Sequence, residues 1–311
     1  MVSFHRERLV RASDPAEFGG RRSERLPDGR PAMTRVRRGV LYPTAEWVEL
    51  TPADRYLALV HATVLVCGDD LLLSHHSAAA VWGLPILGPW PARVHVTNDR
   101  AGGSTGLVRR HRLDEAPEGV WRDGAWVTPV ARTVVDLARC VPLACGVTVA
   151  DAALARRLCT AADLQGGAAT LAPRSRGRAR ASLILDLADG RSESPGESLS
   201  RVRMFEYRLP RPQLQATVHD EDGFVGRCDF EWDDRHAVGE FDGRVKYGRD
   251  IHDRPEEAAE ALWREKRRED RLRRVRSGVA RWTWADALDG RRLVRILRQV
   301  GVVPTPRRCW L

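Results

Sequence analysis

The chain has 311 residues, which is enough for two domains at roughly 100–200 residues each and excludes a single small scaffold stapled by disulfides. Its 51 Lys and Arg outnumber its 42 Asp and Glu, and the formal net charge of +9 favours a polyanionic partner over a cationic one. All of the basic residues are arginine except Lys246 and Lys266.

Cysteine spacing and the length of apolar runs bear on the cellular compartment and on membrane association. The six cysteines are scattered without a C-x-x-C pair, which favours reduced thiols over a zinc site or a disulfide framework. No apolar run reaches the ~18 residues of a membrane span, and no signal-type apolar segment follows Met1. We therefore expect a cytoplasmic protein without a membrane partner.

The first half of the chain shows a mixture of short elements. Residues 1–34 are rich in Arg, Gly, Ser and Asp with little periodicity, which predicts a mobile or partly folded basic segment. The run from Arg35 to Ala45 is strand-like and basic, as is typical of the wing of a winged helix. Helical patterns follow Pro52 and Ser74.

An alternating strand is predicted at residues 93–97 and a helix at 128–140, which completes a mainly helical α+β region over residues 35–165. His75 and His76 are adjacent and cannot share a helix face, so this pair does not predict a metal site.

Composition and pattern change after the middle of the chain. Small residues mixed with arginine predict a linker at 166–191. Residues 192–290 then read as a helix, three strand-like runs, a long charged helix and an aromatic strand, and residues 291–311 as a C-terminal helix and tail. This order predicts the α/β class, with a mixed sheet flanked by helices in the C-terminal domain.

The most informative segment is the acidic stretch at residues 226–243. If its turn is centred between Asp234 and Arg235, Asp229 lies opposite Glu240 on the neighbouring strand. The two faces of the hairpin then separate cleanly. The apolar face collects Cys228, Phe230, Trp232, Ala237, Gly239 and Phe241, and the other face Arg227, Asp229, Glu231, Val238, Glu240 and Asp242.

Opposed carboxylates on neighbouring strands repel each other, so this face needs a compensating cation. A hard divalent ion such as Mg²⁺, which takes one or two carboxylates together with water and phosphate oxygens, suits that role. The alternative is that Arg227, expected opposite Asp242, neutralises a solvated acidic face. Composition leaves both explanations open.

The C-terminal region resembles the PD-(D/E)XK nuclease superfamily, and within it the branch of very-short-patch-repair-like endonucleases and their relatives of unknown function. The resemblance covers residues 192–290. It rests on four pieces in a fixed order: Asp229-Phe, Glu240-Phe-Asp-Gly, the helix Glu265-Lys-Arg-Arg-Glu-Asp-Arg-Leu and the strand Val279-Ala-Arg-Trp-Thr-Trp. It implies a restriction-endonuclease-like core.

The resemblance also implies a Mg²⁺ site, with Mn²⁺ as a substitute, in which Asp229 and Glu240 hold the metal that activates water. The family's usual lysine, two residues after the glutamate, is replaced here by Asp242, which we count as a third candidate ligand. Lys246 and Lys266 are the candidates for returning an ammonium group to the site.

Glu197, on the helix before the hairpin, matches an acidic residue that often completes the metal shell in this superfamily. Ser194 and Glu197 also have capping-box spacing, with Pro195 at the first helical position. Local capping is therefore the competing explanation for this carboxylate.

The long helix carries more cations than its acids neutralise by i,i+4 pairing. A surface that follows DNA phosphates is the functional hypothesis, and a charged solvated helix is the alternative. The candidate DNA-binding residues are Arg264, Lys266, Arg267, Arg268, Arg271 and Arg274.

The N-terminal half resembles AbiEi-type antitoxins of type IV toxin–antitoxin systems, over roughly residues 35–155. The matching text is Leu73-Ser-His-His-Ser-Ala-Ala-Ala-Val-Trp-Gly-Leu-Pro and Val127-Thr-Pro-Val-Ala-Arg-Thr-Val-Val-Asp-Leu-Ala. The resemblance implies a winged helix that binds operator DNA, although no helix-turn-helix pattern precedes Arg35, so the module is expected to be degenerate.

Three functions follow from these patterns. The leading hypothesis is a DNA-binding protein whose C-terminal domain hydrolyses DNA phosphodiesters with Mg²⁺. The alternative is a non-catalytic AbiEi-like antitoxin or transcriptional regulator that uses the nuclease fold only for binding and has a cognate toxin or regulatory partner; Asp242 at the lysine position supports it. A third is an interaction protein whose basic surface meets RNA or an acidic partner.

Overall fold

The structure, a computed structural model, describes residues 3–14, 24–68, 70–98, 106–112, 118–243, 255–306 and 310. The chain divides into two units, the first comprising Met1–Val141 with Cys159–Ala181 and the second Pro142–Leu158 with Ser182–Leu311. Both units combine helices with β-sheet, so the predicted α/β class is confirmed. Within the described residues, no helix is long and apolar enough to cross a membrane.

The elements of the first half, in chain order, are β1 (Val10–Arg11), β2 (Met33–Arg37), β3 (Val40–Pro43), α1 (Thr44–Trp47), α2 (Pro52–Cys67), β4 (Leu72–Leu73), α3 (His75–Val81), β5 (Val94–Asn98), β6 (Val108–Arg112), β7 (Val120–Arg122), β8 (Ala125–Val127) and α4 (Val130–Ala138). The second half contains α5 (Leu143–Ala155), α6 (Ala161–Ala169), α7 (Arg178–Leu187), α8 (Pro195–Glu206), β9 (Gln213–Asp220), β10 (Gly223–Trp232), β11 (Ala237–Asp242), α9 (Pro255–Val275), β12 (Gly278–Thr283), α10 (Trp284–Leu288) and α11 (Gly290–Gln299).

The described part of the first unit contains two sheets. One is antiparallel with strand order β1-β3-β2, and the other is mixed with order β6-β5-β4-β8-β7. In the mixed sheet β5 runs parallel to β6 and β4 parallel to β8, while β4 and β5 are antiparallel. This arrangement places β5 and β6 side by side in the same direction, which becomes important for the histidines described below.

The strand-like run at residues 35–45 is a β-hairpin rather than one strand. Gly39, at φ 85°, supplies the turn between β2 and β3, a conformation that favours glycine. Val40 and Tyr42 are fully buried in a cluster that also contains Leu9. Residues 3–14 of the segment expected to be mobile or partly folded therefore contribute a strand and an apolar side chain to this unit.

The second unit is built on one sheet with strand order β12-β11-β10-β9. β9, β10 and β11 pair antiparallel through short connections, and α9 then carries the chain across to β12, which is parallel to β11. A parallel neighbour requires such a crossover, usually a helix. The predicted order of helix, three strands, charged helix and aromatic strand is thus the order observed.

The units divide the chain differently from the predicted regions. The range 166–191, expected to be a linker, contains the end of α6 and the whole of α7. The region 35–165 extends across both units, because α5 belongs to the second. The physical reason is a buried ion pair that residue patterns along α5 do not reveal.

That pair joins Asp151 on α5 to Arg201 on α8. The Arg201 Nη2 lies 2.7 Å from Asp151 Oδ2, and the side chains of Arg201 and Asp151 are only 3% and 1% exposed. Ser198 Oγ and the Asp189 backbone N–H also donate to the Asp151 carboxylate, each at 2.7 Å. Burial nevertheless raises the pKa of Asp151, with Arg201 as the largest opposing influence. The carboxylate is therefore held by hydrogen-bond donors from α8 and from the loop that precedes it.

Replacing Asp151 with Ala should leave the Arg201 guanidinium buried without its partner. We expect a loss of about 3–5 kcal/mol in the free energy of unfolding, the usual cost of breaking a buried pair from one side. The control is Glu193→Ala, which removes the exposed ion pair with Arg227 in the same unit and should cost at most about 1 kcal/mol. Urea unfolding followed by circular dichroism measures both, and equal losses would contradict the assignment.

Candidate functional site

The acidic hairpin has the predicted register. β10 and β11 pair as Phe230 with Gly239, Glu231 with Val238 and Trp232 with Ala237. The connection is a 3₁₀ turn at Asp233–Arg235 that ends at His236 in the left-handed conformation. The paired register ends at Phe230 and Gly239, and just beyond it the backbone N–H of Phe241 donates to Asp229 Oδ2 at 2.8 Å, which keeps Asp229 beside the strand that carries Glu240.

The apolar face of the hairpin is buried as expected. Phe230 and Trp232 are 0% and 2% exposed, and Phe230 packs 5.2 Å from Trp282 of β12, measured between ring centroids. A Cβ at Gly239 would lie 2.6 Å from the Trp282 ring. Glycine is therefore required at this position by the close approach of the indole.

The other face differs from the expected solvated or metal-bound surface, because α9 covers it. Val238 and Leu272 are both 0% exposed and share an apolar cluster with Cys228, which the alternation had placed on the opposite face from Val238. Gln215, in the β9 segment beside Asp229, has φ 54°. This left-handed residue interrupts the regular pleat, so simple alternation fails there.

Arginines supply the compensating cations on this covered face. Arg268 Nη1 of α9 lies 2.8 Å from Glu240 Oε1, and Arg281 Nε of β12 donates to Glu240 Oε2 at 2.9 Å. Arg227, the predicted neutralising residue, instead pairs with the exposed Glu193 at 2.7 Å. Both oxygens of Glu240 are thus engaged by guanidinium groups.

Glu197 acts as part of the start of α8. Ser194 Oγ accepts from the Glu197 N–H at 3.2 Å and donates to Glu197 Oε1 at 2.7 Å. The Glu193 N–H and Gln215 Nε2 both donate to Oε2, each at 2.9 Å. These contacts support the capping explanation, since they occupy both oxygens of the carboxylate.

Asp229 is an acid of the hairpin with a raised pKa. Burial, followed by the nearby charge of Glu197 and that of Glu240, raises the pKa of Asp229 to about 6, against the opposing hydrogen bond from the Phe241 N–H. The charges of Glu197 and Glu240 thus both act on this carboxylate. An acid in this position has the properties expected of a functional carboxylate, although structural acids share them.

The candidate lysines do not complete a catalytic set among the described residues. Lys246 lies outside them. Lys266 is exposed on α9, with its Nζ 5.7 Å from the centre of the exposed Trp263 ring. Asp242 ends β11 and is half-buried. The oxygens of Glu240 on the hairpin and of Glu197 on α8 already accept hydrogen bonds, so a Mg²⁺ ion bound here would have to displace those donors.

The predicted DNA-binding residues fall into two groups. Arg268 and Arg271 face the sheet, where Arg268 binds Glu240 and Glu265, and Arg271 Nε donates to Asp220 at 2.7 Å. Arg276, at the end of the same helix, binds the buried Glu231. The remaining members are exposed: Arg264, Lys266, Arg267 and Arg274.

A histidine cluster in the first unit was not predicted. His75 of α3, His95 of β5 and His111 of β6 are the one group of three or more candidate metal ligands found among the described residues, with one ligand atom of each lying within 4.8 Å of the others. His95 Nδ1 and His111 Nε2 are 3.2 Å apart, and the His75 and His111 rings stack at 3.7 Å. Burial lowers the pKa of His95 to about 3 and that of His111 to about 4.

The sequence contains only an indirect signal for this cluster. The adjacency of His75 and His76 predicted no metal site, and the partners of His75 come from two strands that follow it by about 20 and 35 residues along the chain. Because β5 and β6 are parallel, with His95 paired to Arg109 and Thr97 to His111, the cluster depends on strand order. Spacing along the chain does not encode that order.

Comparison with known proteins finds two relatives, both named uncharacterized proteins of Mycobacterium tuberculosis, from strains CDC 1551 / Oshkosh and ATCC 25618 / H37Rv. Each is 32% identical over 139 residues, which is 45% of this chain and 50% of the relative. The chain therefore spans about half the length of the curated relatives it matches. No family model and no solved structure matches the chain.

The raised pKa of Asp229 predicts a pH-dependent stability. Between its ordinary value of 3.8 and about 6, the folded protein holds this proton more tightly than the unfolded chain. The stabilisation is complete below pH ~4 and is lost as the pH rises through ~6. Asn at position 229 is neutral at every pH. The free energy of unfolding of Asp229→Asn at pH 7.5 should therefore be about 1–3 kcal/mol higher than that of the wild type, and the difference should shrink towards pH 4.

Urea unfolding at pH 4.5 and pH 7.5 measures this difference. Asp234→Asn is the control, because its carboxylate is 70% exposed in the hairpin turn. If Asp229→Asn gains the same stability at both pH values, or loses stability at pH 7.5, the assigned electrostatic cause is contradicted.

Proposed function

We propose that this protein binds DNA through the exposed side of α9. This side carries what we call the α9 basic surface, formed by Trp263, Lys266, Arg267 and Arg274. The observation that carries the proposal is that the cations of α9 fall on two sides of the helix. Arg268, Arg271 and Arg276 bind acids of the sheet. The cations of the α9 basic surface are exposed.

Helical geometry explains why some cations of α9 face the sheet and others are exposed. Leu272 is fully buried, and Arg268 and Arg276 lie four residues on either side of it, on the same face of the helix. Arg267 and Arg274 are separated by seven residues, or about two turns, and point away from Leu272. A row of exposed cations at this spacing presents positive charge to a phosphate backbone.

An exposed aromatic side chain accompanies these cations. Trp263 is 65% exposed, and Lys266 lies over its ring. A large exposed aromatic group beside basic residues suits contact with sugar or bases next to the phosphates. The net charge of +9 acts in the same direction by attracting a polyanion.

Binding without hydrolysis is the form of this function that the geometry favours. A metal ion at the hairpin would have to displace Arg268 and Arg281 from Glu240, and Glu197 from its hydrogen bonds at the start of α8. This arrangement supports the non-catalytic alternative, a regulator or antitoxin that keeps a nuclease-like unit for binding. The β2–β3 hairpin of the first unit, whose Tyr42 packs in one cluster with Ala62 of α2, suits the degenerate winged helix of that alternative.

Hydrolysis of DNA is the second candidate, and Asp229 is the observation that favours it. Burial is the largest cause of its raised pKa, and two further carboxylates close by add a repulsion that a bound cation would relieve. The order of α8, three antiparallel strands, α9 and the parallel strand β12 also agrees with the nuclease core implied by the sequence resemblance.

DNA binding by the α9 basic surface predicts a specific change in salt dependence. Fluorescence anisotropy of a labelled duplex across a KCl series gives the slope of log K against log [salt], which falls by about 0.9 for each phosphate neutralised. Replacing both Arg267 and Arg274 with Gln should reduce the magnitude of the slope by about 2.

The matched control replaces Arg291 and Arg295, two exposed arginines of α11, with Gln. It makes the same change in net charge and should leave the slope close to that of the wild type. Equal effects of the two double variants, or salt-insensitive binding by the wild type, would refute a specific role for the α9 basic surface.

A nicking assay separates binding from hydrolysis. Supercoiled plasmid is incubated with Mg²⁺ or Mn²⁺ and the wild-type protein, Asp229→Ala or Glu240→Ala. The binding-only function predicts no nicking above the level of the two variants, together with retained DNA binding by the wild type. Nicking by the wild type that both substitutions abolish would instead establish the hydrolytic function.

A further inference from the structure

We propose that His75, His95 and His111 form a binding site for one divalent transition-metal ion of the zinc type. The three imidazoles come from α3, β5 and β6, all within the first unit, and one ligand nitrogen of each lies within 4.8 Å of the others. This site is separate from the DNA-binding proposal, since it uses none of the residues of α9 or the acidic hairpin.

The separation of two of the nitrogens matches a shared metal ion. Zinc binds histidine nitrogen at about 2.0–2.1 Å, so two ligands at the tetrahedral angle lie about 3.3–3.4 Å apart. The observed separation of His95 Nδ1 and His111 Nε2 is 3.2 Å. A hydrogen bond between the two rings gives a similar distance, so the distinction between the two explanations must come from metal binding itself.

Neighbouring side chains orient the histidines. Ser74 Oγ lies 3.0 Å from His75 Nδ1, which leaves the other ring nitrogen, Nε2, available as the ligand atom. Ser77 Oγ accepts from the His95 backbone N–H at 2.8 Å and in turn contacts Tyr56 Oη. Histidine ligands characteristically have a partner on the ring nitrogen that does not bind metal, and Ser74 is that partner for His75, whereas Ser77 fixes only the backbone of His95.

Two further features belong to the same place in the fold. His75 has φ 49°, an uncommon left-handed conformation for a residue with a side chain, and residues held in such conformations cluster at functional sites. His76, whose ring lies 5.1 Å from that of His95, has a buried Nδ1 without a hydrogen-bond partner in the described part of the chain. An unpartnered buried nitrogen is costly unless another ligand or ion uses it.

The donor set determines the class of metal. Three imidazoles without a carboxylate suit zinc, copper or nickel and do not suit Mg²⁺ or Ca²⁺, which prefer oxygen. Three protein ligands also leave the fourth tetrahedral position for water, as in open zinc sites. Arg109 is the charged group that opposes a cation here, and its exposure to solvent weakens that repulsion.

The test uses the full chain without a histidine tag. The protein is stripped with a chelator, loaded with excess ZnCl₂ and gel-filtered, and zinc per chain is then measured by mass spectrometry. We expect one zinc in the wild type, less than a tenth of that in His95→Gln and in His111→Gln, and an affinity ~10–100-fold lower in Ser74→Ala, which removes only the orienting hydroxyl.

His219→Gln is the matched control, since His219 is an exposed histidine of β9 in the second unit, and it should retain the wild-type zinc content. Circular dichroism establishes that each variant is folded, and His111→Gln, whose side chain is only partly buried, keeps the test decisive if His95→Gln is unstable. Tetrahedral Co²⁺ absorption should follow zinc binding across the series. No zinc in the wild type, or zinc that persists in both cluster variants, would overturn the proposal.

Discussion

Glu240 lies between two guanidinium groups, and the second unit depends on that arrangement. The strand that holds Glu240 is covered by α9, so its carboxylate is only 15% exposed and would be costly to bury alone. Arg268 reaches it from α9, and Arg281 reaches it from the register position beside it on β12. One acid thus joins three consecutive elements, and the same contacts fix which side of α9 faces the sheet.

Ion pairs of this kind give arginine a structural role in the second unit. A guanidinium group has several donors in a fixed plane and can bind two acids at once, as Arg281 does with Glu240 and Glu265. Lysine offers a single point charge without that geometry. Arginines on the inner side of α9 therefore support folding, and bulk charge overstates the number of cations available to a ligand. For the proposed DNA binding, the exposed residues of the α9 basic surface are the relevant fraction.

The sequence predicts the parts of this structure that depend on local pattern. The register of the hairpin follows from its turn, and the burial of Phe230 and Trp232 follows from alternation along the strand. The side that α9 would cover was not predictable, because that helix is amphipathic through arginine–carboxylate pairs as well as through Leu272. The placement of α5 with the second unit depends on Asp151, whose partner Arg201 lies 50 residues away. The histidine cluster likewise depends on strand order.

The two candidate sites differ in how their charge is already balanced. At the hairpin, Asp229 and Glu240 call for a cation, but guanidinium groups bound to Glu240 supply positive charge without an ion. In the first unit, burial keeps the imidazoles of His95 and His111 neutral, so their lone pairs are available without the loss of an ion pair. A metal ion would have to displace charged partners at the first site, whereas at the second it would replace the contact between His95 and His111 and turn the stacked rings of His75 and His111 towards one point. The sequence directs attention to the carboxylates as metal ligands, and the packing makes the histidines the better ones.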